Sequence, residues 1–253
     1  MIFDLDGTLV QTERLKAVSY ARAAAELSPK AISEEAVIEG FKEVVGLSRR
    51  QVAQALLERF HLEEASRARM DEFGVSESWQ AFVQVRLEHY ERMLADPEVI
   101  RKAGWPQNVA LLEEARASAC KVGLATMSHC SQVRRVLDIL ALRDAFDFVA
   151  SRDDVENGKP DPEIYLLVAG ELDVPPDESL VIEDSPAGVR AALAAGMSCI
   201  VVTTPFTRKA VHEEHLLDDR LVVDDPNRLL SVVRELIRGK MGSEGETVKS
   251  CMV

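Results

Sequence analysis

Two rhythms of apolar residues run through this chain. Short continuous apolar runs lie at residues 1–5, Lys121–Thr126, Phe146–Ala150, Ser179–Ile182, Cys199–Val202 and Leu221–Val223. Runs of that length, bounded by turn residues, read as buried strands. Helix signals fill the gaps between them. A helix follows Thr126 to about Leu140, Asp161-Pro162 opens another as N-cap and N1 proline, and Ser185-Pro186 starts a third that Gly196 ends. Apolar strands alternating with helices predict an α/β fold, a Rossmann-like parallel sheet with helices on both faces.

The stretch 12–95 keeps a different rhythm. Trp79, Phe82, Val83, Arg86, Leu87, Tyr90 and Met93 recur at helical spacing, and Ser48-x-x-Gln51 is a capping-box signature. With no strand between them, these residues predict an all-helical domain inserted after the first strand. The expected organisation is a core of residues 1–11 and 96–238, an inserted helical domain of 12–95, and a disordered tail from 239 to 253 rich in Gly and Ser.

Composition narrows the class. With 253 residues, 47% hydrophobic and 29% charged, the chain can bury a substantial core. No apolar run approaches the roughly 20 residues of a membrane span, and acids stand where a signal peptide needs a basic segment. The four cysteines show no C-x-x-C pairing, so free thiols in a reducing cytoplasm are expected. Cys251 is one position short of a prenylation box. A net charge of -13 argues against nucleic acid as partner. A monomer is compatible with everything above. The brevity of the first strand raises the expectation that a few native residues precede Met1.

Chemistry concentrates where strands end, which is where open parallel sheets bind ligands. In Met1-Ile2-Phe3-Asp4-Leu5-Asp6-Gly7-Thr8 the first run delivers two carboxylates that project to one side, then a turn. Clustered acids need a cation or a shared proton. A calcium loop with Glu13 as bidentate ligand is excluded, because that register puts Ile2 at the first ligand position. The second run ends at Thr126 and Ser128, whose hydroxyls and neighbouring N–H groups suit an anion. Lys159 lies in Asn157-Gly158-Lys159-Pro160-Asp161-Pro162, held by flanking glycine and proline. Val181-Ile182-Glu183-Asp184-Ser185-Pro186 puts two more acids at a strand end, as hard oxygen ligands or as helix caps.

Taken in order, these four strings resemble the motifs of the haloacid dehalogenase superfamily, most of whose members are phosphohydrolases. The resemblance covers the chain to about residue 238 and is nearest to the branch of β-phosphoglucomutase and related sugar-phosphate phosphatases. It implies Asp4 as nucleophile, Asp6 as general acid/base, and Thr126 and Lys159 as stabilisers of phosphoryl oxygens. It also implies Mg2+ held by Asp4, Glu183, Asp184 and the backbone carbonyl of Asp6, with residues 12–95 as a helical cap. The expected substrate is a small phosphorylated metabolite.

Departures from the family pattern set the alternatives. Asp6 with the two terminal acids speaks against the dehalogenases, which lack the second Asp, and the context of Asp4 is not that of the phosphonoacetaldehyde hydrolases. Lys16 stands where the mutase has a cap histidine and Val45 where it has a lysine, while Gly46, Ser48 and Arg49 match the cap loop. Gln11 replaces the usual Asp. A phosphatase is therefore favoured, a phosphosugar mutase second, and a silent binding protein on the same fold third. Lys16, Arg49, Arg86, Ser128 and His129 are candidates for substrate contacts. His129 equally suits a solvent-facing helix start. His212-Glu213-Glu214-His215 lacks the H-E-x-x-H spacing and reads as a polar helix face.

Overall fold

The computed structural model describes residues 1–243 apart from residues 29, 46 and 119. Gly46, one of the cap-loop matches, lies outside the described residues, as do residues 244–253. Six strands form one sheet among the described residues: β1 (Ile2–Phe3), β2 (Gly123–Ala125), β3 (Phe148–Ala150), β4 (Leu180–Glu183), β5 (Ser198–Val202) and β6 (Val222–Val223). Their order is β3-β2-β1-β4-β5-β6 and every pairing is parallel. Each falls within or beside an apolar run of the sequence, shortened because the ladder stops where loops begin.

Neighbouring positions along these strands are buried whichever way they point. Ile2, Ala125, Val181 and Val201 share a cluster with Tyr165, Val168 and Leu172, and the alternate residues Phe3, Leu124, Ile182 and Ile200 are each 0% exposed. Both faces of the sheet are therefore covered, as period-independent apolar strands require. Each buried Val, Leu, Ile or Phe among them contributes about 1.5–3 kcal/mol of transfer free energy.

Helices are α1 (Thr12–Leu27), α2 (Glu34–Lys42), α3 (Arg49–Phe60), α4 (Glu63–Arg67), α5 (Met70–Phe73), α6 (Ser78–Leu94) and α7 (Pro97–Ala103). They continue with α8 (Pro106–Ala117), α9 (Cys130–Ile139), α10 (Glu163–Leu172), α11 (Pro186–Ala194), α12 (Arg208–Glu214) and α13 (Leu229–Ser243). The chain forms two compact units, one of Met1–Gln11 with the residues from Ile100 onward, the other of Thr12–Val99.

The helical unit packs α1 against α2 and α6. Ala17, Ala21 and Ala24 on α1 are fully buried, and their small side chains let neighbours approach. Tyr20 sits at the centre, its ring 5.6 Å from Phe41 and 5.5 Å from Phe82. The Ser48–Gln51 capping box is present at the start of α3.

Four expectations need correction. The helical unit extends to Val99 rather than residue 95. Helix α10 starts at Glu163, with Pro162 at the N-cap and no proline at N1; Asp161 Oδ1 accepts from Glu163 N at 3.0 Å, so its cap acts one residue late. Helix α13 runs through Gly239 to Ser243, past the point where the glycines suggested a tail. Cys130 and Cys199 are free thiols, but Cys120 is disulfide-bonded, and the cytoplasmic reading loses that part of its support. Among the described residues no helix is long and apolar enough to cross a membrane.

Candidate active site

Strand β1 lies between β2 and β4, with Phe3 in register with Leu124 and Ile182. One residue further on, three chains leave the sheet side by side, and Asp4 N donates to Ile182 O at 3.0 Å. Sheet order alone thus brings together Asp4, Thr126 and the Glu183-Asp184 pair, although up to 180 residues separate them in sequence. This is the crevice beyond the strand carboxyl ends, where the crossover direction reverses.

Lys159 is the hub. Its ammonium donates to Asp4 Oδ1 at 2.7 Å, to Glu183 Oε1 at 2.7 Å and to the Ala125 carbonyl at 2.9 Å. All three N–H groups are used. The side chains of Lys159, Asp4 and Glu183 are 5%, 8% and 1% exposed. Burial pushes the Asp4 carboxyl well above the ordinary range; the Lys159 charge opposes that, and Glu183 and Asp6 add to it. Burial would lower Lys159, but the charges of Asp4 and Glu183 hold it above its ordinary value.

Glu183 is bound at both oxygens. Besides Lys159, Oε1 accepts from the Tyr165 hydroxyl at 2.7 Å, and Oε2 accepts from Asp184 N at 2.9 Å, Ser185 N at 3.1 Å and Ser185 Oγ at 3.0 Å. Burial would raise its carboxyl, yet the Lys159 charge and these donors bring it below the ordinary value. Two glycines make room for the acids. A Cβ on Gly188 would meet Glu183 Oε1 at 1.8 Å, and one on Gly7 would meet Asp184 Oδ2 at 2.1 Å. Gly7 also has φ +91°, a left-handed conformation that favours glycine.

Asp6 is oriented by the end of β2. Its Oδ2 accepts from Ser128 Oγ at 2.5 Å and from Thr126 Oγ1 at 3.3 Å, while Ser128 N donates to Thr126 Oγ1 at 3.1 Å. The turn after Asp6 is tight: Gly7 N donates to Val10 O at 2.7 Å, and the Asn108 side chain donates to Thr8 O at 2.6 Å. His129 Nδ1 is 2.6 Å from Asp153 Oδ1, and Asp153 Oδ2 accepts from Cys130 N at 2.8 Å. That carboxylate caps α9 from another loop and occupies one nitrogen of His129.

Hard oxygen donors from Asp4, Glu183 and Asp184 lie within 4.8 Å of one another, and all three residues are buried. Asp4 Oδ2 is buried without a hydrogen-bond partner among the described residues. Such a set fits a divalent cation. Glu183 is the weakest member despite its proximity, because its oxygens already receive five hydrogen bonds.

The helical unit holds the remaining candidates. Arg86, 7% exposed, lies with its guanidinium carbon 4.4 Å from the centre of the Tyr90 ring and 5.3 Å from that of Tyr20. Its Nε has no hydrogen-bond partner among the described residues. Tyr20 also feels the charges of Arg49 and Lys16, so the three cations share one neighbourhood. Lys16 pairs weakly with Glu13 at 3.9 Å. Sequence reasoning missed Tyr165, Asp153 and Asn108, none of which is itself a motif residue.

Comparison with known proteins agrees with this geometry. Residues 1–202 match the model of the haloacid dehalogenase-like hydrolase family. The chain is 30% identical over 239 residues to a Thermotoga maritima protein named phosphorylated carbohydrates phosphatase, spanning 94% of this chain and 99% of that one. The Rhodobacter sphaeroides protein CbbY, solved as an aspartate-to-asparagine mutant in complex with xylulose-(1,5)bisphosphate, superposes with a TM-score of 0.63 at 26% identity, covering 90% of this chain and 94% of its own. A Deinococcus radiodurans hydrolase of the same family, with phosphate and sodium bound, shares the fold at a TM-score of 0.69 and 22% identity, over 92% of this chain and 94% of its own. Sheet order, the clustered strand-end residues and the family match lead to one conclusion: the chain belongs to the haloacid dehalogenase-like hydrolases.

Proposed function

We propose that this protein is a Mg2+-dependent phosphatase of small phosphomonoesters, such as a sugar phosphate, working through an aspartyl-phosphate on Asp4. The observation that carries the reading is the division of labour between the two oxygens of Asp4. Lys159 holds Oδ1, and Oδ2 is buried with no hydrogen-bond partner among the described residues. A fixed carboxylate with one uncommitted oxygen is what attack on phosphorus requires. The relatives named for phosphorylated carbohydrates and crystallised with a sugar bisphosphate support the substrate class.

In this reading Asp4 Oδ2 forms the bond to phosphorus as the bond to the leaving oxygen breaks. Asp6, aimed by Ser128 and Thr126, delivers a proton to that oxygen. Water then attacks the phosphorus of the aspartyl-phosphate, Asp6 takes the water's proton, and Asp4 is released. Asp4 and Asp184 would hold Mg2+, with the Asp6 backbone carbonyl by family resemblance. When bound, the ion supplies positive charge to the crowded carboxylates and to the phosphoryl oxygens. Glu183 would anchor Lys159 and also stands among the acids that would hold the ion. Lys159 in turn neutralises Asp4, its three donors being committed to protein oxygens.

The unit Thr12–Val99 is proposed as the cap that selects the substrate, with Arg86, Arg49 and Lys16 as contacts to the leaving group. Phosphate release from sugar phosphates, phosphoglycolate, nucleotides and p-nitrophenyl phosphate tests the reading, with Mg2+ or EDTA and with Asp4→Asn. Turnover that EDTA stops and Asp4→Asn abolishes is expected. No release from any compound, with isomerisation of β-glucose 1-phosphate instead, would establish the mutase.

A further inference from the structure

Tyr165 is a buried phenol that the mechanism above leaves without a task. It lies on the first turn of α10, six residues after Lys159, and is 0% exposed. Two contacts tie it to Lys159 and Glu183, the pair beside Asp4. Its hydroxyl donates to Glu183 Oε1 at 2.7 Å, the same oxygen that Lys159 Nζ reaches at 2.7 Å, and the Lys159 ammonium stands 4.8 Å from the centre of the Tyr165 ring.

We propose that Tyr165 is a positioning residue for the reaction, holding Lys159 at Asp4 both through its hydroxyl on Glu183 and through its ring face. The inference rests on the phosphatase reading. Lysine carries a flexible four-carbon stem, so a buried ammonium stays at one place only if its surroundings leave no alternative. Here the ring face attracts the cation from one side. The hydroxyl fixes the carboxylate that the cation must meet on another. With both, Nζ has one position from which Asp4 Oδ1, Glu183 Oε1 and Ala125 O are all within 2.9 Å. Without the hydroxyl, Glu183 Oε1 loses one of its two donors and the Lys159 head gains freedom. Lys159 then holds Asp4 less firmly, and the oxygen that attacks phosphorus is less well aimed. Substrate contacts would be untouched, because Tyr165 is fully enclosed.

The test compares Tyr165→Phe, which keeps the ring and removes the hydroxyl, with Tyr165→Leu, which removes both. Leu172→Ala, on the same helix and in the same apolar cluster, serves as a control for mere loosening. With p-nitrophenyl phosphate and saturating Mg2+, Tyr165→Phe should lower kcat about tenfold with KM within about twofold, and Tyr165→Leu should lower it further. Leu172→Ala should lower thermal stability and leave kcat of the folded enzyme near wild type. A readout free of turnover accompanies this. In 15N-lysine-labelled protein without substrate, the Lys159 Nζ resonance, assigned through Lys159→Gln, should be protected from solvent exchange in wild type and lose that protection in Tyr165→Phe. Unchanged kcat and an unchanged Nζ resonance in Tyr165→Phe would overturn the proposal, as would an equal kcat loss in Leu172→Ala. A wild-type protein inactive on every phosphomonoester would overturn the phosphatase reading instead, leaving the resonance to judge whether Tyr165 holds Lys159.

Discussion

The two units of this molecule each bury a cation, and they do so in opposite ways. At the sheet end, Lys159 meets two carboxylates at 2.7 Å and a backbone carbonyl, so every donor is spent on the protein. In the helical unit, Arg86 is as deeply buried but lies against the faces of Tyr20 and Tyr90, with Nε lacking a hydrogen-bond partner among the described residues. Pairing charge with charge fixes reacting atoms in place. Resting charge on aromatic faces costs less organisation and leaves donors available. The contrast accords with the proposal of chemistry in one unit and recognition in the other.

Breaking the tightly paired side should cost most. Lys159→Ala leaves Asp4 and Glu183 buried without their counter-charge, and a loss of about 3–5 kcal/mol of stability is expected, measured by denaturant unfolding. The next largest effect tests the space around the acids. Gly188→Ala would drive a methyl group into Glu183 Oε1, and about 1–3 kcal/mol should be lost together with most activity. Gly170→Ala on exposed α10 surface meets nothing within 4 Å and should instead stabilise by about 0.5–1 kcal/mol. Equal effects at the two glycines would show that the carboxylate cradle is not tightly built.

Arg86→Met sharpens the other half of the comparison. Methionine keeps the apolar stem, so stability should change by about 1 kcal/mol or less, while KM rises about tenfold with kcat nearly unchanged. A fall in kcat at constant KM would move Arg86 out of the recognition role. The smallest effect is a pH dependence in the helical unit. Burial would raise the Glu26 carboxyl, but hydrogen bonds from Arg69 and His89 hold it below its ordinary 4.5. A depressed folded value means that its stabilisation is present above the unfolded value and is lost as pH falls through the folded one. Thermal melts of wild type and Glu26→Gln should therefore differ at pH 6 and converge toward pH 3.

The same comparison explains what the sequence could disclose. Groups at the sheet end follow short strands, so each sits in a local string: Asp4 and Asp6 in the first, Thr126 in the second, Lys159 and Glu183-Asp184 in the others. Parallel order then assembles them without further information. The helical unit offers no such strings, because Tyr20, Arg49, Arg86 and Tyr90 meet through packing of α1, α3 and α6. Arg86 was legible as one member of a core-facing stripe and as a candidate substrate contact, but its seat between Tyr20 and Tyr90 was not. What stayed hidden at the sheet end was hidden for the same reason. Whether Glu183 is a ligand or an anchor depends on the Tyr165 hydroxyl and the N–H groups of Asp184 and Ser185, contacts made across elements. Cys120 shows the limit from another side, since spacing gave no sign of its disulfide.

The central claim is that Asp4 carries the phosphoryl group. The most direct measurement is acid-quenched single turnover of 32P-labelled p-nitrophenyl phosphate with enzyme in excess, followed by peptide mapping. A transient label is expected on the peptide containing Asp4, absent in Asp4→Asn. Complete turnover with no protein-bound label at any quench time, and activity retained in Asp4→Asn, would contradict it.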